Sequence, residues 1–158
     1  MELTWGNPPP FKPNPPKQGK IIQPEDLAGD SEDSQQMALF CWAALNVGKY
    51  PELKWLHAIP NGGSRHMVEA IKMVAAGLRS GVWDVFLPLP IQTEWAKQYA
   101  GLYIEMKAAD KKTKKNGGLS DDQLNFGGYA ELIGYYCAVC YSWEEARDIL
   151  VKYLELKV

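Results

Sequence analysis

Apolar positions fall into helical stripes and strand-length runs, and the pattern begins only after about residue 30. Met37, Phe40, Cys41, Ala44 and Leu45 repeat at helical spacing and predict a first helix from about Ser31 to Asn46. Leu39 and Trp42 are apolar too, so this helix is expected to be covered on more than one side. Ser31 or Asp30 can cap it, and Glu32 and Asp33 suit the positive end of its dipole. Leu53-Lys54-Trp55-Leu56-His57-Ala58-Ile59 follows Pro51 as a short strand, and Pro60-Asn61-Gly62-Gly63 ends it with turn chemistry. A second helix runs from about His66 to Leu78 on Met67, Ile71, Val74 and Leu78, with Gly77 and Gly81 bracketing its end. The strand Val82 to Leu87 stops at Pro88 and Pro90, a loop of polar and aromatic residues intervenes, and a strand follows from Leu102 to Lys107. Ser120-Asp121-Asp122-Gln123 is a capping box opening a helix to about Ile133, which Gly134 stops. Tyr135 to Tyr141 suits a buried strand, and Ser142 caps a last amphipathic helix on Ala146, Ile149, Leu150 and Tyr153.

The order helix, strand, helix, strand, strand, helix, strand, helix defines an α/β domain: a small mixed central sheet flanked by helices. Residues 31–158 form that domain. Residues 1–30 hold seven of the eleven prolines and read as an extended arm or disordered leader, neither helix nor central strand. At 158 residues, 46% hydrophobic and 23% charged, the chain has the composition of one ordinary globular domain. Three cysteines give no disulfide framework, and no window reaches the length of a membrane span, so a soluble, cytoplasmic protein is expected. Cys137 and Cys140 lie three apart in a strand, on opposite faces, and read as core thiols rather than a zinc or redox pair.

Charge changes the picture at two strands. Asp84 interrupts the apolar run 82–87, and Glu105 and Lys107 interrupt 102–107. Burying such groups is costly unless they are paired or bind a metal. Carboxylate oxygens suit Mg²⁺ or Mn²⁺, and a nearby lysine can act on a water, which is the equipment for phosphodiester hydrolysis. The structural alternative is an ion pair between Glu105 and Lys107, which share a sheet face. The net charge of −2 is not that of a typical nucleic-acid binder, but Lys107, Lys111, Lys112, Lys114 and Lys115 cluster beside the carboxylate strand.

These segments, taken in order, resemble the VRR-NUC family of the PD-(D/E)XK nuclease superfamily, over roughly residues 31–156. The resemblance rests on Glu32-x-x-x-Gln36 with Phe40-x-Trp42, His57 to Gly63, Ala76 to Pro88 around Asp84, Ile104-Glu105-Met106-Lys107, Leu119-Ser120-x-x-Gln123, and Cys140 to Ala146. It implies a restriction-endonuclease-like fold of αβαββαβα order. It implies that Asp84, Glu105 and the Met106 backbone carbonyl hold a divalent metal, Mg²⁺ or Mn²⁺, and that Lys107 positions water and stabilises phosphate charge. Glu32 is expected at the site as a ligand or behind one; helical spacing alone favours Asp33, which stays as the alternative. Gln123 is a contact to DNA or to water, or simply a cap. Asn61, Arg65, Arg79, Lys111, Lys112, Lys114 and Lys115 are candidate DNA contacts, and His57 lies at the neighbouring strand end. Trp83 departs from the family's usual proline before the aspartate, and the lysine-rich stretch is longer than the pattern.

The function implied is a metal-dependent endonuclease cutting branched DNA, four-way junctions or flaps, in a bacterial or phage-infected cell, with no organic cofactor and no membrane. Two opposed cuts at a symmetric junction suit a homodimer, with Leu39, Trp42, Trp83 and the Pro-rich arm as interface candidates. A non-catalytic DNA-binding or assembly module of the same fold, and a nuclease acting on RNA or on DNA ends, are the alternatives.

Overall fold

The computed structural model describes residues 21–60, 67–92 and 98–156. Its strands are β1 (His57–Ala58), β2 (Val85–Leu87), β3 (Ile91–Gln92), β4 (Gln98–Tyr99), β5 (Leu102–Met106) and β6 (Tyr136–Cys140). Its helices are α1 (Pro24–Leu27), α2 (Glu32–Asn46), α3 (Met67–Ala75), α4 (Asp121–Leu132) and α5 (Trp143–Glu155). β1, β2, β5 and β6 form one sheet in that order, antiparallel except for the parallel β5–β6 pair, and β3 and β4 form a separate antiparallel ribbon. The sheet is therefore mixed and carries helices on both faces, as the order of apolar runs predicts.

Period-two alternation assigns the faces. Val85, Leu87, Leu102, Ile104 and Met106 point to one side, where they meet Ala38, Leu39, Trp42 and Ala43 of α2 and Ala146, Leu150 and Tyr153 of α5 in a fully buried core. The other side carries aromatic rings. Phe86 stacks on Tyr103 at 4.4 Å, and Phe126 of α4 and Tyr135 meet Tyr103 edge-on at 5.1 Å each. Beyond Tyr103 on this same face lie Glu105 and then Lys107, at the carboxyl end of β5 where α4 begins.

Several expectations are corrected. The apolar stripe of α2 is Ala38, Leu39, Trp42 and Ala43, while Met37 and Leu45 are half exposed. The helix is apolar nearly all round, so spacing alone could not choose its face. The run 53–59 is mostly a 3₁₀ turn, Pro51–Trp55, followed by the two residues of β1. Pro51 suits a helical first turn, and Leu53 and Leu56 enter the core three residues apart, as 3₁₀ spacing places them. The loop after Pro90 contains the β3–β4 ribbon. Within the arm, Pro24–Leu27 is one helical turn with Pro24 at its start, and Leu27 and Ala28 reach the core; residues 1–20 lie outside the described residues. Leu39, Trp42 and Trp83 are buried and so form no interface. Among the described residues, α3 carries an exposed apolar face, with Val68, Ile71 and Val74 62%, 63% and 57% exposed. Among the described residues, no helix is long and apolar enough to cross a membrane.

Two adjacent glycines in the middle of α4 make a test of this packing. A Cβ on Gly127 would stand 2.5 Å from Cζ2 of the buried Trp83 ring, while one on Gly128 would meet nothing within 4 Å. Gly128→Ala should stabilise the protein by about 1 kcal/mol through helix propensity. Gly127→Ala gains the same propensity but overpacks a rigid ring at about 1–3 kcal/mol, and should be net destabilising. Urea denaturation of both variants checks this; equal shifts would contradict the placement of Trp83 under α4.

Candidate active site

Asp84 stands one residue before β2 and Glu105 is the fourth residue of β5; the β2–β5 ladder brings both to the same sheet end. The Met106 N–H donates to Asp84 Oδ2 at 3.1 Å, and the Ile59 N–H donates to the Asp84 carbonyl at 2.7 Å, so the residue is fixed from both neighbouring strands. Glu105 is 0% exposed. Its Oε1 receives Lys107 Nζ at 2.9 Å and a hydrogen bond from Gln123 Nε2. Its Oε2 is buried with no hydrogen-bond partner. Lys107, 7% exposed, follows β5 directly, and its N–H donates to the Cys140 carbonyl at 2.9 Å, which extends the parallel ladder.

Glu32, the first residue of α2, turns inward. Its Oε1 lies 3.8 Å from Lys107 Nζ and accepts the Ala108 N–H at 3.4 Å, while Asp33 is exposed. Glu32 thus reaches this cluster through Lys107 rather than through Glu105. Gln35, one turn on, was not singled out by sequence. It accepts the Trp143 N–H at 2.8 Å and donates to the Gly29 carbonyl at 2.6 Å, tying α2 to the start of α5.

Electrostatics follow from burial. Loss of water, and then the charge of Asp84, push the Glu105 carboxyl up to about 7 against the opposing pull of Lys107. Burial works against the charge of Lys107 as well. Glu105, then Glu32 and Asp84, outweigh that and hold the ammonium above its usual range. Lys107 is therefore held as a cation that donates hydrogen bonds at neutral pH.

The other candidates spread around this centre. Gln123 takes its expected capping role: its N–H donates to Ser120 Oγ at 3.2 Å and its Oε1 accepts the Ser120 N–H at 3.0 Å, while its Nε2 donates to Glu105 Oε1. Gln123 also shares a cavity of about 320 Å³ with Arg79, Ser80, Gly81 and Ser120, so Arg79 opens onto the site's flank. The lysine stretch is folded rather than loose, in two 3₁₀ turns, Ala109–Lys111 and Lys115–Gly118. Lys112 pairs with Glu145 at 2.7 Å beside the Tyr141 ring, Lys111 pairs with Asp110 at 3.6 Å, and Lys114 and Lys115 are exposed. His57 sits against Phe86, away from Asp84, with Nδ1 2.9 Å from the Trp55 carbonyl. Asn61 and Arg65 lie outside the described residues.

The test of whether a cation fits is the chemistry of Glu105. A carboxylate oxygen sealed from water with no donor is a costly group unless a positive partner meets it. Asp84 and Glu105 are the two carboxylates that come together. Among the described residues no group of three His, Cys, Asp or Glu side chains could hold a metal ion.

No protein-family model matches the sequence, and no curated protein matches it. A solved VRR_NUC domain protein has a similar structure, with a TM-score of 0.62 and 22% identity over 83% of this chain and 93% of that one. The chain has the VRR-NUC fold of that protein.

The raised Glu105 carboxyl carries a consequence for stability. It holds its proton more tightly folded than unfolded, where its ordinary value is 4.5. Its contribution is complete below that value and is lost as pH rises towards about 7. With a chelator present, urea stability should decline across this window, and Glu105→Gln should remove that part of the decline. An unchanged pH profile in the variant would contradict the buried, proton-binding carboxyl.

Proposed function

We propose that this protein is a divalent-metal-dependent DNA endonuclease acting on branched substrates, four-way junctions or flaps. The observation that carries the reading is the buried, partnerless Oε2 of Glu105 beside Asp84, with the Lys107 ammonium 2.9 Å from the other oxygen. Asp84, Glu105 and the Met106 carbonyl would hold Mg²⁺ or Mn²⁺. A cation bound there would supply Lewis-acid polarisation of the phosphate and a more acidic water. Lys107, kept protonated by its three carboxylates, donates hydrogen bonds to water and to phosphate oxygen as negative charge builds. Glu32 holds that ammonium from behind rather than binding the metal. Attack of water oxygen on phosphorus with cleavage of the bond to the 3′ oxygen, which takes a proton, leaves a 5′-phosphate and a 3′-hydroxyl.

Arg79, which shares a cavity with Gln123, and Lys111, Lys114 and Lys115, on the turns after β5, would suit backbone phosphates, so DNA affinity is expected to fall with salt. Lys112 is the weaker candidate, because Glu145 already neutralises it. Asn61 and Arg65 remain candidates from the sequence. A symmetric junction needs two opposed cuts, and a homodimer through α3 supplies them. Val68, Ile71 and Val74 would face their copies there, and Glu69 and Lys72 on the same helix could pair across a two-fold axis.

Labelled four-way junction, flap, linear duplex, single-stranded DNA and RNA, with Mg²⁺, Mn²⁺ or chelator, test the activity. Metal-dependent cutting of branched DNA should fall on the order of 10²–10³-fold in Lys107→Ala. Binding without cutting would favour a non-catalytic module, and preference for RNA or for ends would replace the substrate assignment. Separately, Ile71→Glu should convert a dimer to a monomer in sedimentation without unfolding it, since the side chain is already exposed. A monomeric parent protein would end the dimer proposal.

A further inference from the structure

Trp83 occupies the position before the aspartate, and its ring is 5% exposed, lying under α4. Its indole N–H donates to the Gln123 carbonyl at 2.9 Å. The Gln123 side chain in turn donates to Glu105 Oε1, and its own Oε1 is held by the Ser120 N–H. The Met106 N–H, one residue after Glu105, donates to Asp84 Oδ2 at 3.1 Å, one residue after Trp83. The connections close a ring: Trp83 to Gln123, Gln123 to Glu105, along the chain to Met106, across to Asp84, and back along the chain to Trp83. Both glycines that let this segment approach α4 are in place. A Cβ on Gly127 would strike the indole, and one on Gly81 would stand 2.5 Å from the Asp122 carbonyl carbon.

The ring has work to do because the sheet alone is a poor frame here. β2 is three residues long and Asp84 lies one residue outside its three register pairs with β5, so the ladder by itself does not set the orientation of the two carboxylate side chains. Gln123 also selects the Glu105 rotamer. By occupying Oε1 together with Lys107, it leaves Oε2 as the oxygen without a partner.

We propose that Trp83 is a positioning residue: through Gln123 its indole N–H fixes the separation and orientation of Asp84 and Glu105. The proposal rests on the nuclease reading for its purpose, but its geometry is testable without catalysis. Trp83→Phe keeps a buried, though smaller, aromatic ring and removes the N–H donor. In metal-free protein, it should shift the side-chain amide resonances of Gln123 in ¹H–¹⁵N spectra. Gln123→Ala should weaken Mn²⁺ binding, read by calorimetry, on the order of tenfold, as loss of a partner to a ligand does. Trp83→Phe should weaken it in the same direction, and the double variant should be no weaker than Gln123→Ala alone, because both act along one path. The KM for DNA should stay near the parent's while kcat falls. Unmoved Gln123 resonances, parental Mn²⁺ affinity in Trp83→Phe, or strictly additive losses would each overturn the positioning role while leaving the nuclease reading intact. A parent protein that binds no Mn²⁺ and cuts no DNA would overturn the nuclease reading, and this role with it.

Discussion

A carboxylate in the middle of a buried strand organises this molecule. β5 is paired on both sides, and three of its five residues feed the main core, so the backbone leaves Glu105 no route to solvent. The fold meets that charge with one donor from the same strand end, Lys107, and one from eighteen residues on, Gln123 in the first turn of α4. Glu32 from α2 then braces Lys107, and Met106 braces Asp84. Removing any one of these leaves another buried group short of a partner, which costs more than the contact itself contributes. That asymmetry explains why the elements around the site are joined by side-chain bonds rather than by packing alone.

The remaining oxygen of Glu105 is the exception to this satisfaction. A fold that places capping boxes at two levels and satisfies Gln35 from both of its ends leaves, among the described residues, this buried acceptor unmatched. Such exceptions in an otherwise matched interior mark places where something from outside the chain completes the set. The aromatic layer of Phe86, Tyr103, Phe126 and Tyr135 lies immediately behind it. It lowers the local polarity and so sharpens every charge interaction at the sheet end.

Much of this was legible in the sequence, for identifiable reasons. Strands whose apolar runs are broken by single charges announced β2 and β5, and capping chemistry at Ser120 and Ser142 gave the starts of α4 and α5. The first helix was harder. With apolar residues on most of its circumference, spacing favoured a stripe through Met37 and Cys41, and on that stripe Asp33 outranks Glu32. The real face runs through Leu39 and Trp42, and it points Glu32 inward. Trp83 misled in the opposite direction, because a large aromatic ring beside a strand gives no sign of which side it covers. The sign was present 44 residues later, in Gly127 at the centre of α4, but only contact in space connects the two. The apolar residues of α3 have helical spacing indistinguishable from a core stripe, and exposure is not a property that spacing encodes.

The parallel pairing of β5 with β6 also bears on when the site comes into being during synthesis. Glu105 lies opposite Val139, and the Lys107 amide is held by the Cys140 carbonyl. Until residues 136–140 have left the ribosome and docked, β5 has an open edge and Glu105 stays hydrated, with the ordinary acidity of a surface carboxylate. A growing chain therefore carries both charged strands for some time before they share a dry environment. The unusual electrostatics of the sheet end arise late, as a product of the last strand's arrival, and not with the residues that bear the charges.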